Sequence, residues 1–285
     1  MTSGRIRRAL LRAAAVVVFV ILAGATYQGA ATALERRQYP HPGRMVDIGD
    51  RQLHIYCVGD GSPTVVLEAP AAGMSAAWGW VQPAVAQTTR ACSYDRAGLG
   101  WSETGDRPYD PGAVPEQLRT LLDRSGEHGP YVLVGHGLGA TFTRLYAAQF
   151  VADVRSLVLV DPPTTAPDQS GTMPLVRASP WLARAGILRV TRLLSNNVVG
   201  LPESSVGPMT AFLNRPDHLT RAASELARWD DAVRLAGGVS LSPDLSVVSV
   251  RVSGTDRVAF LTDSSRAAKV TSAIVGAIKR VQSTR

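Results

Sequence analysis

A chain of 285 residues with 45% hydrophobic and 19% charged residues can bury a sizeable core, which excludes a disordered protein and a disulfide-dependent miniprotein. The formal net charge of +7 points at first to a nucleic-acid partner, but residues 1–37 hold six arginines and one glutamate, +5 of that total, which leaves the body near +2 (7 − 5). No basic stripe interleaved with aromatics runs through the body, so no nucleic-acid partner is expected.

Arg5, Arg7, Arg8 and Arg12 precede an uncharged run from Ala13 to Leu34 whose most apolar part reads AAAVVVFVILAGA. Such a run is long enough to cross a hydrocarbon core of ~30 Å as a helix. The arginines before it favour a cytoplasmic N-terminus and place the body outside the cytoplasm. Residues 1–37 are therefore read as an N-terminal membrane anchor. A signal peptide removed after secretion competes with that reading, because Ala31-Thr32-Ala33 has the small-x-small form of a cleavage site; the length of the uncharged run favours the anchor.

Beyond the anchor, RMVDIGDRQLHIYCVG alternates apolar and polar residues about Gly49-Asp50 and predicts a hairpin. TVVLEA at 64–69 reads as a buried strand, SAAWGWVQPAVAQ as a helix-bearing stretch and RACSYD at 90–95 as another strand. GAVPEQLRTLLDRSG has helical spacing and stops at Gly126. YVLVG at 131–135 is an apolar strand, LGATFTRLYAAQF a helix, and VRSLVLVD at 154–161 a further strand. Strands alternating with helices predict a mostly parallel sheet covered on both faces. From 162 to 238 only helical segments broken by Pro and Gly occur, as expected of a helical cap inserted into a core made of 38–161 and 239–285. Strand character returns in LSVVSVRVSG at 245–254, and an amphipathic helix closes the chain. The two cysteines, Cys57 and Cys92, fit neither a metal site nor a Cys-x-x-Cys motif, which leaves two buried thiols or one disulfide; no metal and no cofactor is expected.

The strand, sharp Gly-x-x-x-Gly turn and helix of YVLVGHGLGAT form the context of a nucleophile elbow. With SYDRAGLGWS at 93–102, VLVDP at 158–162 and GTD at 254–256, the chain resembles the α/β-hydrolase fold family over roughly residues 40 to 280, specifically its membrane-anchored bacterial members. The resemblance implies first strands ordered 1-2-4-3, which sets Cys57 beside Cys92 and allows a cross-strand disulfide. It also implies a serine nucleophile, a histidine base after the last strand, an acid and backbone oxyanion donors.

Several of these parts are absent from the sequence. The nucleophile's place is Gly137, which carries no attacking atom. Thr141 and Thr143 lie a turn or more into the following helix and read as packing residues. The five histidines are His41, His54, His128, His136 and His218, so none lies in the last 67 residues, and the family's final strand and histidine loop are expected to be truncated. His136 would flank the nucleophile, and His218, in the cap, reads as a solvated or capping residue. The acid position maps to Asp256, with Asp161 as its rival; both also read as turn or capping aspartates. Leu138 and Ala71 hold the places of the oxyanion-type N–H donors, although Pro70 stands where the family usually has glycine. Asp95 and Arg96 read as braces between loops, and Trp78, Trp80 and Trp101 as core or rim aromatics.

These observations predict a membrane-anchored hydrolase-fold protein that has lost serine-hydrolase chemistry and retains a cleft for a small acyl-like ligand or a protein partner. The rival expectation is an ester or amide hydrolase that uses a non-standard nucleophile or a cap histidine.

Overall fold

The computed structural model describes residues 2–163, 173–251 and 261–283. Helix α1 (Thr2–Gln38) is continuous and is long and apolar enough to cross a membrane. Its first two thirds are exposed, whereas Gln28 is buried against the body.

Seven strands form one sheet: β1 (Arg44–Asp47), β2 (Gln52–Val58), β3 (Thr64–Glu68), β4 (Ala91–Tyr94), β5 (Tyr131–His136), β6 (Val154–Val160) and β7 (Ser246–Val250). Their spatial order is β1-β2-β4-β3-β5-β6-β7; β1-β2 and β2-β4 are antiparallel and all other pairs are parallel. This is the 1-2-4-3 start that the resemblance implies. The middle strands β3 and β5 are buried along their whole length, which is why they read as unbroken apolar runs rather than as alternations.

Alternate side chains feed two apolar layers. On one face Ile55, Val66, Leu133 and Leu157 pack with α3 (Val114–Arg124) and α4 (Leu138–Gln149). On the other, Val65, Leu67, Val134 and Val158 pack with α2 (Val81–Val85) and the C-terminal helix α10 (Ser264–Ser283). Helix α3 carries Glu116 in its first turn and Arg124 in its last, both favourable to its dipole, and is followed by Gly126 at φ 69°.

Cys57 and Cys92 oppose each other across β2 and β4 and form a disulfide, which removes the reading as free thiols. Their sulfurs and Glu127 are the one group of three potential metal ligands among the described residues, and the disulfide occupies both sulfurs. Between β6 and β7 lie α5 (Met173–Arg184), α6 (Ile187–Thr191), α7 (Glu203–Phe212), α8 (Pro216–Ala227) and α9 (Trp229–Gly237), with no strand among the described residues of this insertion. No described strand follows β7. Residues 252–260, which contain the expected acid Asp256, lie outside the described residues.

Candidate active site

The turn from β5 into α4 has the geometry of an elbow. Gly137 adopts φ 54°, ψ −122°, and its N–H donates to the Val160 carbonyl at 2.9 Å. A residue with a Cβ held in such a conformation costs about 1–3 kcal/mol, a strain that glycine avoids. Gly139 is required by proximity: a Cβ there would lie 2.5 Å from the Glu68 carbonyl oxygen, so the elbow can press against the end of β3 only without one.

His136 is 3% exposed, and its Nε2 stands 4.0 Å from Asp161 Oδ2, beyond hydrogen-bond range. Burial lowers its pKa to about 4 against the weaker pull of Asp161, so the ring is neutral at pH 7. Asp161 sits at φ 45° and its N–H donates to the Val250 carbonyl, tying the end of β6 to β7. Thr143 returns its hydroxyl to the Ala140 carbonyl within α4. Leu138 and Ala71 are 0% and 2% exposed and pack with Phe142 of α4 and with Trp229 and Ala232 of α9. The two residues expected to supply oxyanion-type donors are thus covered by apolar side chains of α4 and α9.

His218 corrects the expectation of a solvated or capping residue, because it is 2% exposed. Its Nδ1 accepts the Gly100 N–H at 3.1 Å and its Nε2 donates to the Ala72 carbonyl at 3.1 Å. Burial lowers its pKa to about 4, with Asp217 opposing. It is a neutral imidazole with both nitrogens committed, a pin between α8 and two core loops.

Arg96 makes the second pin. Its guanidinium bonds Glu225 of α8 in bidentate fashion (2.7 and 2.9 Å), Glu68 at 2.5 Å, and the carbonyls of Ala69 and Pro70 at 2.7 and 2.9 Å. Glu225 also accepts the Ala72 N–H at 3.1 Å. The loop after β3, where the resemblance places an oxyanion donor, is held by the cap through charge-assisted bonds. Pro70, lacking an N–H, contributes only its carbonyl.

One constellation escaped the reading of the sequence. His54, on β2, faces Asp95 Oδ2 through Nδ1 at 3.0 Å, and Ser75 Oγ lies 3.4 Å from the same nitrogen. Asp95 also accepts the N–H groups of Ser75 (2.6 Å) and Trp101 (2.9 Å). Serine, histidine and aspartate in contact resemble a triad by composition, yet the proton count differs. His54 Nε2 meets the Pro42 carbonyl, which only an N–H can satisfy, while Nδ1 meets a carboxylate. Both nitrogens therefore carry protons. Burial pulls the His54 pKa down, but the Asp95 charge and hydrogen bond outweigh it and raise the value above normal. Asp95, although fully buried, is held below the usual carboxylate range by His54 and the two backbone donors. An imidazolium cannot take the Ser75 proton. Ser75 borders a cavity of about 450 Å³ between the end of α1, α2 and α7, away from the elbow. The clue in the sequence was a histidine in a strand whose neighbours Leu53 and Ile55 are both core residues, since a buried polar ring needs partners.

Trp78 is core, 1% exposed, with its ring 6.3 Å from that of His136. Trp101 stacks between His54 and Phe212, and Trp80, 38% exposed, donates to the Gly200 carbonyl.

Residues 61–279 match the sequence model of the alpha/beta hydrolase family. Among solved structures, the enol-lactonase of Burkholderia xenovorans LB400 superposes with a TM-score of 0.63 at 14% identity, covering 83% of this chain and 100% of that one. Wild-type DBJA superposes with 0.65 at 16% identity over 85% and 99%. At these identities the likeness is one of fold. Among curated proteins, an uncharacterized Schizosaccharomyces pombe protein is 34% identical over 114 residues, 39% of this chain and 21% of its own length. An uncharacterized Bacillus subtilis protein is 26% identical over 125 residues, 42% of this chain and 37% of its own. An uncharacterized vacuolar membrane protein of Saccharomyces cerevisiae is 32% identical over 128 residues, 39% of this chain and 20% of its own. The chain thus spans well under half the length of these relatives.

Proposed function

The chain belongs to the alpha/beta hydrolase family, and on that premise we propose that it is a membrane-anchored member without serine-hydrolase chemistry, its body lying outside the cytoplasm. The observation that carries this reading is Gly137 at the elbow, where no side-chain oxygen exists to attack a carbonyl carbon. The surrounding protonation states support it. His218 has no free lone pair, His54 holds both protons, and His136 has no hydroxyl within the distances described. The rival reading, a base drawn from the cap, requires His218 to abandon both the Gly100 and Ala72 bonds.

The acyl-like ligand expected at the backbone donors of Leu138 and Ala71 belongs to the same proposal: it enters when α9 withdraws Trp229 from the cluster above them. Retention of the anchor is supported by the way the end of α1 is held. Gln28 donates to the Asn214 carbonyl at 2.8 Å, and Arg189 of α6 bonds Gln28 at 2.8 Å and Glu35 at 2.9 Å. Cleavage after Ala33 would remove Gln28 from these contacts. The vacuolar membrane relative is consistent with a membrane setting.

The test is covalent labelling by a fluorophosphonate probe of the full chain in detergent, beside a Gly137→Ser variant. Neither protein is expected to label, because restoring the hydroxyl does not restore a base. Labelling of the unmodified protein contradicts the proposal outright. Labelling of Gly137→Ser alone would show a working base and contradict the reading of the histidines.

A further inference from the structure

The cap carries an apolar surface that packing within the body leaves uncovered. Leu175 (47% exposed), Trp181 (71%), Ile187 (44%), Val190 (74%), Leu193 (50%) and Val199 (69%) all lie on α5, α6 and the turn after them. Large apolar side chains exposed in one short stretch mark an interaction surface. Its charge is equally one-sided: residues 173–202 contain Arg177, Arg184, Arg189 and Arg192 and no acidic residue. The Arg184 guanidinium lies over the Trp181 ring at 4.9 Å.

This surface is continuous with the apolar helix. A Cβ at Gly24 would stand 2.1 Å from the Ala185 carbonyl oxygen, and one at Gly186 would stand 2.9 Å from the Gly24 carbonyl oxygen. The corner between α5 and α6 therefore touches α1 at Gly24. The arginine-rich start of α1 fixes the vertical scale. A hydrocarbon core of ~30 Å takes about 20 helical residues, so a span beginning after Arg12, at Ala13, ends near Thr32. Gly24 then lies eight residues, about 12 Å, inside the outer boundary (32 − 24 = 8). The corner in contact with it lies at a similar depth, within the outer leaflet and slightly below the ~5–10 Å at which interfacial amphipathic helices rest.

We propose that the α5–α6 corner of the cap is seated in the outer leaflet of the bilayer that α1 spans, with Trp181, Ile187 and Val190 among acyl chains and Arg177, Arg184 and Arg192 at anionic headgroups. The proposal rests on the reading of α1 as a membrane span. Tryptophan at the interface and arginine beside it are the residue types that such a position favours. A phospholipid is preferred to a protein partner because the surface is unbroken with the exposed Val16–Leu22 stretch of α1, whose surroundings in a membrane are lipid. Docking of this kind fixes the cap relative to the membrane, and with it α8 and α9, which close over the elbow.

The test uses the full chain reconstituted in vesicles of phosphatidylcholine and phosphatidylglycerol, with or without brominated acyl chains. The native cysteines are bridged, so each introduced cysteine is the single free thiol and takes one environment-sensitive fluorophore. Val190→Cys reports the corner, Val18→Cys reports the span, and Val151→Cys, at the end of the sheet opposite the cap, reports the aqueous side. All three side chains lie on the surface of the protein rather than in its core, so the fold tolerates the changes. We expect brominated lipid to quench emission roughly twofold or more at Val190→Cys and Val18→Cys and to leave Val151→Cys unchanged. Quenching at Val18→Cys without quenching at Val190→Cys overturns the docking and leaves the span standing. No quenching at either site overturns both. Protection of the Val190→Cys thiol from a water-soluble reagent without lipid quenching assigns the surface to a second copy of the chain and also overturns the proposal.

Discussion

Glu68 holds its carboxyl in full burial between Arg96 and the Tyr94 hydroxyl, and burial raises its pKa to about 7 against the pull of both partners. Between the unfolded value near 4.5 and about 7, the folded protein keeps a proton that the unfolded chain has lost. The stability so contributed is complete below about pH 4.5 and is lost as pH rises through 7. Gln copies the protonated acid. Glu68→Gln should therefore be close to neutral at pH 5 and gain on the parent by pH 8, on the order of 2–3 kcal/mol, in denaturant titrations at both pH values. A difference independent of pH would show that Glu68 is ionised throughout. His54 is the complementary case, an imidazole kept charged by Asp95 and the Pro42 carbonyl. At this scale the elbow was legible: the Gly-x-x-x-Gly turn between an apolar strand and a helix was read as an elbow, and Gly137 turns there at φ 54°. The states of His54 and His218 were not legible. Each is set by backbone carbonyls and amides distant in sequence (Pro42 for one, Gly100 and Ala72 for the other) that periodicity does not bring together.

Among the elements, the middle of the sheet was the easiest to read, because strands buried on both faces are written as short apolar runs bounded by turn residues. The strand order came from the resemblance, and the disulfide depends on it, since β2 and β4 are neighbours only in that order. The bridge closes a separation of 35 residues, for which a stabilisation of about 2–4 kcal/mol is typical. Alkylation under denaturing conditions without reductant should leave Cys57 and Cys92 unmodified, and addition of reductant should expose both. Modification of both thiols before reduction contradicts the bridge. The cap helices were visible as spacing, but what they do was not. His218 read as a solvated or capping residue and Glu225 carried no signal, and only the fold shows them gripping the loop after β3. The expected acid Asp256 lies outside the described residues, while its rival Asp161 stands at the end of β6 beside His136.

For the molecule as a whole, the proposed membrane anchor bears on two features, where the protein resides and how its cap is oriented. Because α1 continues to Gln38 and its last turns are bonded to α6, the anchor reading predicts an intact N-terminus. Mass measurement of protein extracted from membranes should find a chain beginning before Ala31, resistant to removal by alkaline carbonate. A soluble species starting at Leu34 would establish cleavage instead. The central point is the lack of an attacking oxygen at the elbow, with His218 committed through both nitrogens, His54 doubly protonated, and His136 neutral and 4.0 Å from Asp161. It is tested most directly by turnover of short-chain p-nitrophenyl esters by the purified full chain beside its Ser75→Ala variant. No saturable hydrolysis above that of heat-denatured protein is expected in either sample. Saturable turnover by the unmodified chain that disappears in Ser75→Ala would contradict it and make His54 a base after all.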